Sequence, residues 1–274
     1  MNIAALLTVH NRKEKTLDCL RSLSKIIQDI DVYLVDDGCT DGTAEAVKAE
    51  FPAVHIIQGN GDLFWSRGMH TAWKEAAKQD YDFYLWLNDD VVLYPNFYEE
   101  LIYSYNFGKQ NCIVSGLIES EEHTILYGGF DRSKTLVQQY DQPQPIYYMN
   151  GNVVLVPKSV VDKIGIIDPT FHHDLGDVDY GLTAVENNIP IFSTRIPIAL
   201  GYRNNITRMR KWNCSWRERF KKLYSPLGAN PKINFYFRKK HFGLFNATAY
   251  WLFLHLINML PDKIVKAIWG KKYQ

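Results

Sequence analysis

The chain predicts an α/β fold, a mixed and mainly parallel sheet flanked by helices, followed by a basic helical C-terminal extension. Three observations lead there. Short apolar runs alternate with amphipathic stretches through the first half, as in βαβ units with right-handed crossovers. Two of these runs, 32–36 and 83–87, end in the acidic doublets Asp36-Asp37 and Asp89-Asp90. An apolar run closing in carboxylates reads as a buried parallel strand that delivers charge to its C-terminal edge, the edge where open α/β sheets bind ligands. Third, charge divides along the chain. The formal net charge is +1, yet residues 203–274 hold 16 Lys/Arg against 2 Asp/Glu, and residues 1–202 hold 15 against 28. The boundary is therefore placed between a domain of residues 1–202 and a basic, aromatic region of residues 203–274.

Taken in order, residues 3–9 form a strand and roughly 13–28 a helix. A strand at 32–36 leads to a helix that starts near Thr40-Asp41, with Thr40 as its N-cap. A strand at 54–58 precedes a helix over roughly 66–79, and a strand at 82–87 precedes a helix opening at Pro95. Residues 113–117, 124–130 and 147–156 read as strands, punctuated by Gly128-Gly129 and Pro143-Gln144-Pro145. A helix follows Pro157, another covers roughly 177–188, and 191–195 and 197–202 read as two closing strands.

Composition bounds the setting. The chain's 274 residues and 46% hydrophobic share provide one large core or a domain with an appendage. Cys19, Cys39, Cys112 and Cys214 are scattered without a Cys-x-x-Cys or Cys/His cluster, which argues against a zinc site and for reduced thiols. The N-terminus enters a strand at once, so no signal peptide is expected and the protein is expected to be cytoplasmic. Residues 242–260 contain no charged side chain. On a helical wheel Gly243, Asn246, Thr248, His255 and Asn258 take one half, and Phe242, Phe245, Leu252, Phe253, Leu256 and Leu260 the other. A spanning helix has little reason to keep that polar half. The pattern leaves an interfacial helix, peripheral on the cytoplasmic face of a membrane, or a helix packed on the main domain.

The motifs follow a fixed order: Thr8-Val9-His10-Asn11-Arg12, Asp36-Asp37-Gly38, Asn60-Gly61 with Ser66-Arg67-Gly68, Asn88-Asp89-Asp90, Asn150-Gly151-Asn152 and Gly176-Asp177-Val178-Asp179. Over about residues 2–202 this series resembles the family 2 glycosyltransferases of GT-A fold. The resemblance implies an inverting transfer of a sugar from a UDP- or dTDP-sugar to a hydroxyl of a glycan or a polyprenyl-diphosphate-linked glycan, in cell-surface polysaccharide synthesis.

A carboxylate at the end of the second strand can accept the imide N–H of uracil or thymine, and in the family the second acid of the doublet does so, here Asp37. The plain alternative is that it starts the next helix. Thr8, His10 and Arg12 would line the base pocket. Asn60 to Gly68 is a Gly-bearing loop entering a helix, whose backbone N–H groups suit phosphate. Ser66 stands where the family often has Asn, Trp65 adds bulk, and Arg67 either meets the diphosphate or is solvated. By resemblance Asp90 holds a divalent ion, Mg²⁺ or Mn²⁺, Asn88 faces the ribose or the ion, and Asp89 is left for the donor sugar. Asp177, at a helix start, is the candidate catalytic base; its plain alternative is an acid stabilising the helix dipole. Asn150, Gly151, Asn152 and Asp179 fall on the acceptor side. Family members often carry a metal-binding His after the last strand; here the chain reads Gly201-Tyr202-Arg203. Either fewer side chains hold the ion or Arg203 supplies the charge.

Two other classes compete. A sugar-phosphate nucleotidyltransferase would carry a Gly-rich, Arg-bearing loop after the first strand, and Thr8 to Arg12 has no Gly. A non-catalytic nucleic-acid binder would use the basic tail, but the acidic first 202 residues and the absence of a recognisable module argue against nucleic acid as a partner.

Overall fold

The computed structural model describes residues 1–203 and 208–270. They form two compact units, Met1–Pro169 with Gly176–Arg203, and Thr170–Leu175 with the described residues beyond 207. The first unit begins with β1 (Ile3–Val9), α1 (Lys13–Ile26), β2 (Asp31–Asp36), α2 (Thr43–Glu50), β3 (His55–Gln58), α3 (Phe64–Ala76) and β4 (Phe83–Leu87). It continues with β5 (Val92–Leu93), α4 (Phe97–Phe107), β6 (Ile113–Glu119), β7 (Ile125–Tyr127), β8 (Gly129–Phe130) and β9 (Tyr148–Met149). It closes with β10 (Val153–Pro157), α5 (Lys158–Ile164), α6 (Gly176–Glu186) and β11 (Ile191–Leu200).

The main sheet runs β3-β2-β1-β4-β10-β6-β11-β5, with β7 paired to β6. β1 to β4 are mutually parallel, with Val9 opposite Asp36 and Asp36 opposite Gln58. β10 runs antiparallel to both neighbours and sets Val153 opposite Leu87. That reversal brings the residues just before β10 to the edge where β4 delivers its acids. Alternate residues of β1 enter two different cores: Ile3, Ala5, Leu7 and Val9 join α1 and α4, while Ala4 and Leu6 join α3. Burial on both faces explains why the strand reads as one apolar run rather than an alternating one.

Four elements differ from expectation. Thr40 does not cap α2, because its N–H and hydroxyl donate to Asn11 Oδ1; Gly42 holds the cap position, and Asp41 accepts from Thr43 instead. The strand expected at 124–130 breaks at Gly128, and the one at 147–156 breaks at 150–152. The two closing strands are a single one, β11, with a bulge that accommodates Pro197.

The second unit holds α7 (Trp216–Leu223), α8 (Pro231–Met259) and α9 (Asp262–Trp269). Ser215 and Glu218 make a reciprocal capping box that starts α7. Leu223, Ala229 and Leu254 form a small core with Met209, Phe220 and Tyr250. Buried Arg210 and Arg219 both donate to Asp262 Oδ1 and to the Leu260 carbonyl, tying the start of α9. Arg208 pairs with Asp174. α8 buries Phe237, Ala247, Leu254 and Ile257 and leaves further apolar side chains exposed. Asn258 is buried, donating to the Met209 and Leu254 carbonyls, whereas Phe245 is 89% and Met259 68% exposed. No helix among the described residues is long and apolar enough to cross a membrane.

Candidate active site

The C-terminal edge of β1, β2 and β4 gathers the motifs of the first unit. The loops after β1 and β2 are laced together. The Asp37 N–H donates to the Val9 carbonyl (3.0 Å), and His10 Nδ1–H donates to the Asp37 carbonyl (2.6 Å), which sets the imidazole tautomer. Asp36 accepts the Cys39 N–H at 2.7 Å and closes the turn. Thr8 is half-buried, with α3 seated on it at Gly68.

Asp37 is buried, and both of its oxygens are engaged. Oδ1 accepts from Gly61 N–H (2.8 Å), and Oδ2 accepts from Leu63 N–H (3.0 Å) and Phe64 N–H (2.9 Å). The N–H groups read from the sequence as a phosphate cradle are therefore turned toward this carboxylate. Asp37 shapes the loop before α3. Asn60 is exposed and accepts the Asp62 N–H in a local turn. Ser66 is fully buried against Gly176, where a Cβ would lie 2.5 Å from Ser66 Oγ. Arg67 Nε–H donates to the Pro169 carbonyl at 3.0 Å.

At the end of β4, Arg12 reaches across from the β1 loop. Its Nη1 lies 2.8 Å from Asp90 Oδ2 and 3.2 Å from Asp89 Oδ1. Burial pushes the Asp89 carboxyl up to about 6, against the pull of the Arg12 charge and with a further push from Asp90. Among the described residues no three His, Cys, Asp or Glu side chains cluster as a metal cage. The donor chemistry still suits a hard divalent ion, since such ions are commonly held by one or two carboxylates with substrate phosphates and water. Asp90, half-buried at the mouth, and Asp89 behind it would hold it, provided that the Arg12 guanidinium moves aside.

Trp65 joins this acid edge to the other side of the site. Its indole N–H donates to Asn88 Oδ1 at 2.7 Å, and its far ring edge lies against Gly151. The Gly151 N–H donates to Asp177 Oδ2 at 3.0 Å, and the Val178 N–H donates to Asp177 Oδ1 at 2.8 Å. Asp177 stands in the first turn of α6. Burial drives its carboxyl above the usual range, only partly offset by those two N–H groups. Asn152 accepts the Asn88 N–H through its carbonyl, locking the residues before β10 to the end of β4. Asn150 keeps a buried amide oxygen without a partner, a feature that suits a ligand donor. Asp179 is buried two residues beyond Asp177, about half a turn along α6. Thus one continuous set of contacts links Asn88, Trp65, Gly151 and Asp177.

The model of the glycosyl transferase family 2 matches residues 5–164. The chain belongs to glycosyl transferase family 2. The matched span carries the β1, β2 and β4 motifs of this glycosyltransferase and ends before Asp177.

Solved structures agree on the fold. The chain aligns over its full length with GalNAc-T7, crystallised with UDP, GalNAc and Mn²⁺, at TM-score 0.61 and 10% identity, covering 58% of that chain. It aligns over 99% of its length with S. aureus TarS, at TM-score 0.61 and 11% identity, covering 46% of that chain. A shorter TarS form, residues 1–349 with UDP-GlcNAc, aligns at TM-score 0.58 and 12% identity, with 77% of it covered. The glycosyltransferase thus spans about half the length of the first two. No curated protein sequence matches it.

Two features of the site escaped the sequence. Trp65 registered there only as unusual bulk, because nothing local shows that its ring reaches both Asn88 and Gly151. Arg12 was assigned to the base pocket and instead lies on the acid doublet; its position directly after the β1 loop carried no sign of that reach.

Proposed function

We propose that this glycosyltransferase moves a sugar from a UDP- or dTDP-sugar to a hydroxyl of a glycan or lipid-linked glycan, with inversion, at the cytoplasmic face of a membrane in cell-surface polysaccharide synthesis. The observation that carries the reading is the continuous contact from Asn88 through Trp65 and Gly151 to Asp177. It holds a donor-side acid edge and the Asp177 carboxylate on opposite sides of one indole ring. An inverting transfer needs that arrangement: positive charge where the diphosphate leaves, and a base on the far side of the anomeric carbon to take the acceptor proton. Burial of Asp177 supports the second role, since a desolvated carboxylate is the stronger base.

Asp90 and Asp89 are the residues that would bind a divalent ion, which when bound supplies charge neutralisation to the departing diphosphate. Arg12, which pairs with the same two carboxylates, would give way to the ion. The crystal forms of GalNAc-T7 with Mn²⁺ and UDP and of TarS with UDP-GlcNAc support a uridine donor. The exposed apolar face of α8 and α9, with Phe245, Leu252, Leu256, Met259 and Ile268 outward, supports attachment to a membrane surface.

A panel of UDP- and dTDP-sugars, assayed for nucleoside diphosphate release with glycan acceptors and with or without Mn²⁺, tests the proposal. One donor is expected to turn over with metal and to give the inverted anomer by NMR. Retention of configuration, or release from no donor in the panel, would refute it.

A further inference from the structure

The second unit contains a cavity of about 670 Å³ whose walls include Arg210, Lys211, Trp212, Glu218, Lys221 and Lys222. Four cationic side chains thus face one acidic one. Arg210 is 1% exposed, and its Nη2 is taken by Asp262 and the Leu260 carbonyl, but its Nε and Nη1 are buried with no hydrogen-bond partner. A buried guanidinium with two orphaned donors is costly. Such donors in a native protein call for an explanation, and a bound ion is one of those available.

The nearby acids are already engaged. Asp262 Oδ1 takes Arg210 and Arg219, and Oδ2 takes the Asn213 N–H. Glu218 Oε2 closes the α7 cap on Ser215, and its Oε1 lies 3.8 Å from Lys211 Nζ. Among the described residues no carboxylate lies within ion-pair distance of Lys221 or Lys222. Burial lowers the Lys222 ammonium below its usual range, and the positive charges of Arg208 and Lys211 lower it further, so the wall is under mutual repulsion. Trp212 faces one of the four cations, the Arg210 guanidinium at 4.9 Å from its ring centre, and Lys266, outside the cavity lining, at 5.3 Å.

We propose that this cavity is an anion site that takes a phosphate group. A phosphate has the tetrahedral oxygens and the multiple negative charge that a desolvated guanidinium and paired ammonium groups recognise best. Arg210 brings its unused N–H groups to the lining, Lys221 and Lys222 close on the anion from α7, and Lys211 from the segment before it. The site stands on the second unit alone and does not depend on the transfer chemistry proposed for the first. Two sources supply such a group: a soluble phosphate compound, or the headgroup of an anionic lipid.

The full-length protein, K221A/K222A and K221R/K222R are compared in two arms. One arm is calorimetric titration with inorganic pyrophosphate; the other is flotation with phosphatidylglycerol vesicles, with phosphatidylcholine vesicles as control. K221A/K222A is expected to bind at least about tenfold more weakly in one arm, and K221R/K222R to restore binding, since the charges rather than the lysine shape hold the anion. Loss in the pyrophosphate arm assigns a soluble phosphate. Loss confined to phosphatidylglycerol assigns a lipid headgroup. Lys221 is exposed and Lys222 half-buried at the end of α7, and K211A serves as a second variant if the double alanine unfolds by circular dichroism. Equal binding by wild type and the alanine variants in both arms, or a loss that K221R/K222R does not restore, overturns the site.

Discussion

Replacing Gly151 by Ala places a methyl group where the structure has the Trp65 ring. The new Cβ would lie 2.5 Å from Trp65 Cη2, 2.7 Å from Cζ2 and 3.0 Å from the Asp177 Cβ. Carbon atoms pack comfortably at about 3.5–4.0 Å, so the indole must withdraw by about 1 Å. Its N–H stands 2.7 Å from Asn88 Oδ1, and a withdrawal of that size takes it out of hydrogen-bond range. Gly151 is not among the glycines with positive φ, so the methyl group acts through crowding alone and not through the backbone. Overpacking of this kind costs about 1–3 kcal/mol. A displacement of about 1 Å at a reacting centre costs about 100-fold in rate. G151A is therefore expected to lower kcat/KM about 100-fold, while Tm falls by only a few degrees. The assay is nucleoside diphosphate release with the donor that the panel identifies. The double variant W65F/G151A should recover part of the lost rate, because phenylalanine lacks the outer ring edge that meets the methyl group, and the coupling is read as a double-mutant cycle. Near-wild-type turnover by G151A, or no recovery in the double variant, would refute the idea that Trp65 sets the spacing between the two sides of the site.

The remaining predictions concern charge. D177N should cut transfer by about 10²–10⁴-fold and leave donor affinity near wild type. In the wild type, transfer should rise as pH passes upward through the raised value of the Asp177 carboxyl, because only the ionised form takes a proton; a rate unaffected by D177N would remove it from the mechanism. R12A takes away the charge that pulls Asp89 down, so the Asp89 titration, at about 6 with Arg12 present, should move upward when followed by carboxyl NMR; a downward move would contradict the ion pair. For Asp262, burial pushes the carboxyl up, but the hydrogen bonds from Arg210 and Asn213 outweigh it and leave it below the usual range. Stability from that group is present above the ordinary carboxylate value and is lost as pH falls through the lowered one. D262N leaves two buried guanidinium groups without their counter-charge and should cost about 3–5 kcal/mol, read by thermal unfolding; an unchanged Tm would show that the cluster holds nothing together.

Much of the first unit is legible in the sequence because its signals are local. A buried parallel strand announces itself as an apolar run, and β1, β2, β3 and β4 all lie within a residue or two of their expected places. The acid doublets are legible for the same reason, since they terminate those runs. What depends on residues far apart in the chain is not legible. Thr40 has the side chain of an N-cap, but Asn11 from another loop claims it. Asp37 ends a strand as expected, yet three amides of a loop more than twenty residues away take up its oxygens. Neither the reach of Arg12 to Asp90 nor that of Trp65 to Gly151 leaves a local trace, because the first follows from β1 and β4 being parallel neighbours and the second from the reversed direction of β10. In the second unit the helical wheel divides polar from apolar side chains, but it could not show that Asn258 faces inward while Phe245 and Leu252 face out.

The break in α8 at Gly243, where φ is 83°, has a geometric consequence. An unbroken rod of 29 residues would measure about 43 Å, more than the roughly 30 Å of a bilayer's hydrocarbon layer. Divided at Gly243 it becomes two pieces of about 18 Å and 24 Å, and neither reaches from one leaflet to the other. Only a residue without a side chain holds that bend at ease, and nothing lies within 4 Å of where a Cβ would sit. One glycine therefore leaves this helix without a straight apolar stretch as long as a bilayer's hydrocarbon layer is thick.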